Sequence, residues 1–197
     1  MTPMLRRGFL ALGGVAAGTL AMPGLPRAQA TRTLADTMAG DTRFSRFLDI
    51  ITRAGAVETF RQAAPMTVFA PVDQAFSGAP AGLLQDLLGQ SQGSPQNTNE
   101  VERRRVMALI NYHIVPGAIG PDQMGSGERR LTTVNGSDIL VSGSGASMTL
   151  RNPAPAQQLG SFGAAGANVS AAPAQVVGGP IQASNGVIYP ISQVLFP

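Results

Sequence analysis

The pairs Asn135-Gly136 and Asn185-Gly186 constrain this chain most, because each lies between two β-prone runs. Asn-Gly is the strongest short-range hairpin signal: both residues tolerate positive φ, so the pair fits the tight turns that match strand twist. Leu131 to Val134 and Asp138 to Ser142 flank the first pair, and Ile181 to Ala183 and Val187 to Tyr189 flank the second. Met148 and Leu150 alternate with polar neighbours between the two hairpins and mark a further strand. The chain beyond Gly117 is therefore expected to form antiparallel hairpins.

The chain before Gly117 has a helical period instead. Phe44, Phe47, Leu48 and Ile51 fall at i, i+3, i+4 and i+7, which predicts a helix from Arg43 to Ala54 with one buried face. Asp41 or Thr42 can cap its start, and Gly55 can supply the left-handed residue at its end. Val57 and Phe60 predict a further short helix, Met66 to Ala70 a strand that stops at Pro71, and Asp73 a helix N-cap ahead of Ala75 and Phe76. Ala81 to Leu88 reads as a second helical block, followed by the polar break SQGSPQNTNE. A helix from about Asn99 to Asn111 then buries Val106, Leu109 and Ile110. Its Arg103-Arg104-Arg105 run follows Glu100 and Glu102 at helical pairing distance, so it reads as a solvated face rather than an anion site. Helices first and hairpins later indicate an α+β fold rather than alternating βαβ units.

The first thirty residues follow the layout of an export signal. Met1 to Arg7 is short and basic, and Gly8 to Met22 is an apolar run too short to span the ~30 Å hydrocarbon core of a bilayer as a helix. Ala28-Gln29-Ala30 offers small side chains to a signal peptidase, which predicts cleavage after Ala30. Arg6-Arg7-Gly8-Phe9-Leu10 resembles a twin-arginine export motif, with a general secretory signal as the alternative. The expected product is a single domain over residues 31–197, periplasmic or secreted from a bacterium and not membrane-spanning after cleavage.

The signal also holds three of the 14 basic residues and none of the 11 acidic ones, so the mature chain is neutral. A general electrostatic case for nucleic acid disappears with it. The chain has no cysteine, which removes thiol nucleophiles, disulfides and thiolate metal sites. It has no lysine either, which removes Schiff-base chemistry.

One histidine, His113, remains, in the run Ile110-Asn111-Tyr112-His113-Ile114-Val115-Pro116-Gly117. No G-x-S-x-G elbow accompanies it, and metal clusters need more imidazoles or thiolates than one. The acids are scattered singly. No catalytic residue, metal site or cofactor is assigned, and the chain is read as a non-enzyme. His113 stands where a helix gives way to a strand, and there a ring nitrogen can satisfy a backbone group that neither element pairs.

Three blocks resemble a known family. Thr67-Val68-Phe69-Ala70-Pro71-Val72-Asp73-Gln74-Ala75-Phe76 looks like the first signature of the fasciclin domain, with Val72 in place of the usual Thr. Tyr112 to Gly117 is similar to its central YHVVPG block, and Ala183 to Pro197 resembles its closing block. The resemblance covers about Leu34 to Pro197. It implies a wedge of two antiparallel β-sheets with N-terminal and central helices packed around them. The closing block departs from the family's His and Asp at Tyr189 and Ser192, and carries Pro190 at a strand position. A proline there predicts an unpaired edge or a bulge. Residues 152–167, rich in Ala, Gly and Pro, look like a loop insertion relative to the family.

The family resemblance implies an exported interaction module for adhesion at a cell surface or matrix, with a surface protein or polysaccharide as partner. In animal members the Tyr-His pair is implicated in receptor binding, which makes Tyr112 and His113 candidate partner-binding residues beside their structural role. Some exported relatives bind carotenoid-type pigments. An apolar small molecule, pigment or lipid, is thus the alternative ligand, with the methionines and Phe162 as its candidate surface.

Overall fold

The computed structural model describes residues 31–78, 100–125, 127–144, 147–153 and 173–196. The predicted signal with its cleavage after Ala30, the predicted helix Ala81 to Leu88 and nearly all of the 152–167 insertion lie outside the described residues.

Apolar spacing near the N-terminus produces three helices: α1 (Leu34–Ala39), α2 (Ser45–Arg53), which a 3-10 turn (Thr42–Phe44) precedes, and α3 (Val57–Arg61). Phe47, Ile50 and Ile51 form the buried face of the second, with Phe44 buried in the turn before it and Ile50 taking the inner position expected of Leu48. Gly55, at φ 71°, ends α2. Its N–H reaches Thr52 O at 3.0 Å and that of Ala56 reaches Ile51 O at 2.9 Å, the paired bonds of a Schellman end.

The strand β1 (Met66–Pro71) and a 3-10 turn (Asp73–Gly78) follow. Asp73 does not cap its own turn as expected. Its carboxylate accepts from the Arg46 N–H at 2.9 Å and from the Ser45 hydroxyl, so it caps α2, whose own N-cap residue, Phe44, has no acceptor to offer.

The long helix α4 (Glu100–Tyr112) leads into β2 (Ile114–Pro116), and a short helix α5 (Pro121–Met124) leads into β3 (Arg129–Thr132), β4 (Asp138–Ser142) and β5 (Thr149–Arg151). The strands β6 (Ala174–Gln175), β7 (Ile181–Ala183) and β8 (Gly186–Ile191) complete the described fold. The exposed ion pair between Arg104 and Glu100 at 3.4 Å fits a solvated face on α4.

Two four-stranded sheets result, β2-β1-β8-β7 and β3-β4-β5-β6. The α+β class and the two-sheet architecture are as expected, with one correction: β1 and β8 are parallel, in register from Met66↔Gly186 to Pro71↔Ile191. A parallel pair needs a crossover, and here the whole second sheet lies on the connection between the two strands. Every residue of β1 and of β8 is buried, as strands covered on both faces must be. Val68, Ala70 and Ile188 point to the helices, where Leu34, Phe47, Ile51 and Phe60 join them. Phe69, Val187, Tyr189 and Ile191 point to the second sheet and meet Ile139, Val141, Met148 and Leu150.

Both Asn-Gly pairs lie at hairpins, yet in neither do both residues take the positive φ that the pair tolerates. At the first, only Gly136 has positive φ, at 83°. Gly136 N–H bonds Thr133 O and Thr133 N–H bonds Ser137 O, both at 2.9 Å, which makes a three-residue loop with a glycine bulge. At the second, Ala183 pairs with Gly186, so the loop is Ser184-Asn185 and the glycine is already in β8. Gly186 is required by close approach: a Cβ there would sit 2.0 Å from Met66 O.

Candidate functional site

His113 is fully buried at the point where α4 ends. Its Nδ1 lies 2.8 Å from Leu109 O, one turn back in the helix, which makes Nδ1–H the donor. Nε2 is then the acceptor, and it takes the N–H of Leu195 at 3.1 Å from the C-terminal segment. Its backbone carbonyl accepts from Phe69 N–H at 2.9 Å, and the Phe47 ring packs on the imidazole at a centroid distance of 5.6 Å. One residue thus joins α2, α4, β1 and the chain end. Burial pushes its pKa down to about 4, only partly offset by the Leu109 carbonyl, so the ring is neutral at pH 7. Both nitrogens are engaged by backbone, and none is left to activate a hydroxyl.

Tyr112 is equally buried, and its hydroxyl donates to Asp138 O at 3.2 Å, tying α4 to β4. Burial, and after it the Asp138 carboxylate, pushes its pKa up to about 12. Neither candidate partner-binding side chain therefore presents surface in this fold: Tyr112 is packed in the core that faces the second sheet, and His113 lies against Phe47 beneath the helices.

The departures in the closing block knit the two sheets together. The Tyr189 hydroxyl donates to Ile119 O at 2.9 Å, and burial first and Asp122 second push its pKa up to about 12. Thr67 holds the same loop, accepting from Ile119 N–H and donating to Gly117 O. Pro190 lies beyond the last β7 pair, Ile181↔Ile188, where no ladder bond is asked of it. Its carbonyl accepts from Val177 N–H at 2.8 Å. The Ser192 hydroxyl accepts from Gln175 N–H at 3.0 Å, and Ser192 N–H returns a bond to Gln175 O at 2.9 Å.

The residue that sequence reasoning missed is Asn185. It is 6% exposed, and its amide holds three segments. Oδ1 accepts from Leu34 N–H at 2.8 Å at the start of α1, while Nδ2 donates to Phe60 O at 3.0 Å and Gln62 O at 2.6 Å. Its backbone carbonyl takes Met66 N–H as well. The Asn-Gly signal masked this role, because a turn explains the pair so readily.

What stays open is the outer face of the second sheet. Arg130, Leu140 and Arg151 stand in one row across β3, β4 and β5, with Thr132 and Asp138 in the row on one side and Ser142, Thr149 and Gln175 on the other. Arg130 is 64% exposed and pairs with Asp138 at 3.3 Å; Arg151 is 53% exposed and pairs with Glu128 at 2.8 Å. Among the described residues no helix packs on this face. The described methionines are in the cores, Met38, Met66, Met124 and Met148 fully and Met107 partly, and Phe162 lies outside the described residues. Among the described residues no group of His, Asp and Glu could hold a metal ion, and no helix is long and apolar enough to cross a membrane.

Comparison with known proteins agrees with this geometry. The family model of the Fasciclin domain matches residues 42–197. Protein sll1483 of Synechocystis sp. is 30% identical over 165 residues, spanning 84% of this chain and 73% of that protein. Transforming growth factor-beta-induced protein ig-h3 of Sus scrofa is 27% identical over 170 residues, and the match spans 84% of this chain but only 19% of that relative. Among solved structures, the FAS1 domain pair of the insect cell adhesion molecule Fasciclin I superposes with a TM-score of 0.52 at 18% identity, covering 78% of this chain and 45% of that one, which shows a common fold. Fasciclin domains thus occur in cell adhesion proteins. With a family match that takes in both sheets and the described helices from α2 onward, the chain belongs to the fasciclin domain family.

Proposed function

We propose that this protein is an exported, non-catalytic interaction module that serves adhesion at a bacterial cell surface or matrix, acting in the periplasm or outside the cell. The observation that carries the reading is the division of labour between the sheets. Tyr112, His113 and much of the closing block are consumed inside the fold, whereas the outer face of β3-β4-β5-β6 offers Arg130, Arg151, Thr132 and Gln175, and in part Ser142, to solvent. An exposed polar face of this kind suits a broad polar partner better than a small molecule, which requires concave apolar walls.

Partner chemistry follows from the same inventory. Among the described residues the aromatic side chains are buried, apart from the partly buried Phe196, so no ring is presented for stacking on a sugar. Guanidinium groups and hydroxyls favour a surface protein, or a polysaccharide bearing carboxylates, over a neutral glycan. The apolar-ligand alternative draws no support from the methionines, which fill core gaps.

The test is retention of the purified protein on immobilised envelope material, for wild type and for Arg130→Glu/Arg151→Glu. Loss of retention with an unchanged melting temperature is expected, since exposed ion pairs contribute about 0–1 kcal/mol to stability. Undiminished retention by the double variant refutes the assignment of this face.

A further inference from the structure

The two Asn-Gly pairs share a chemistry that the fold treats differently. Next to glycine, an asparagine side chain is open to attack by the following backbone nitrogen. Asn135 leaves that route accessible: it is half-buried, and among the described residues its amide has no hydrogen-bond partner. Asn185 is held on both amide atoms by Leu34 N–H, Phe60 O and Gln62 O, and it is almost sealed from water.

We propose that Asn185 is a deamidation site closed by folding, so that a chain left unfolded too long is chemically barred from the native state. In the unfolded chain the Gly186 nitrogen, its proton lost to solvent base, attacks Asn185 Cγ. A C–N bond forms, the bond to Nδ2 breaks, and ammonia leaves with a proton from water. Water then opens the cyclic imide at either carbonyl, leaving aspartate or isoaspartate. No oxidant or further reactant is needed.

The product cannot rebuild the clasp. A carboxylate only accepts, yet it would face the carbonyls of Phe60 and Gln62, where Nδ2 donates two bonds in the native protein. It would also carry an unpaired charge into a nearly sealed site. Isoaspartate adds a main-chain carbon just before Gly186, where β8 runs hard against Met66 O. At Asn135 the same change adds one charge to an open hairpin tip, where a Cβ on Gly136 would meet nothing within 4 Å.

The experiment incubates the purified protein at mildly alkaline pH with and without urea, and follows both asparagines by peptide mass mapping. Folding is expected to slow conversion at Asn185 roughly tenfold more than at Asn135, as an opening cost of about 1.4 kcal/mol or more requires. Equal slowing at the two sites overturns the proposal. In the second arm, urea-treated samples are diluted into native buffer and the folded fraction is mapped. Chains converted at Asn185 should be absent from it and chains converted at Asn135 present; Asn185-converted chains that refold also overturn the proposal. Asn135→Asp is the matching control and should fold.

Discussion

Acidification should destabilise this protein through His113, and a single-histidine chain allows the effect to be isolated. The ring is held neutral, its pKa pushed down to about 4 from 6.5 by burial. Between those two values the unfolded chain binds a proton that the native chain does not, so stability rises with pH across the window and falls as pH is lowered through it. The contribution is complete above pH 6.5. It is reduced by about 2 kcal/mol at pH 5 and by about 3 kcal/mol at pH 4, where it levels off. The structural cause is specific: protonation turns Nε2 from the acceptor of Leu195 N–H into a second donor facing it. The assay is urea unfolding followed by circular dichroism at half-unit steps from pH 7.5 to 4.5, for wild type and for His113→Gln. The variant keeps hydrogen-bonding atoms but cannot titrate. It should be less stable at neutral pH and should lack the slope between pH 6.5 and 5, leaving the carboxylate contribution common to both proteins. Identical slopes would refute the reasoning, because the proton uptake would then belong elsewhere.

Two further substitutions test the geometry. Asp73→Ala removes the acceptor for Arg46 N–H and should cost about 1 kcal/mol in urea unfolding, with Asp73→Asn close to wild type because an amide oxygen still accepts. Gly186→Ala should abolish folding or cost about 4 kcal/mol or more, since its Cβ would overlap Met66 O. Gly136→Ala should cost only about 1–2 kcal/mol for its positive φ. Comparable losses for the two glycines would show that β1 and β8 do not approach as described.

The residues that were legible in the sequence are those whose role depends on near neighbours. The stripe of Phe44, Phe47 and Ile51 marks α2, Gly55 marks its end, and Val106, Leu109 and Ile110 mark the inner face of α4. Asp73 and Asn185 were misread for one reason. Each has a local role that its neighbours make plausible, a cap or a turn, and each spends its side chain on a segment far away in the chain. Ile50 replaces Leu48 inside because a nine-residue helix is set by what packs on it, and a four-residue stripe tolerates a small rotation.

Sequence alone determined that this chain has helices before hairpins, no cysteine and the three blocks of its family, because periodicity, composition and short motifs are local quantities. It also left His113 as the one histidine of the chain. Tertiary structure decided which faces are used up and which are left. It made β1 and β8 parallel, buried Tyr112 and His113, turned an Asn-Gly pair into a clasp, and left the Arg130–Arg151 row outside. Those outcomes depend on contacts between residues such as Leu34 and Asn185 or His113 and Leu195, whose separation along the chain leaves no periodic trace in it.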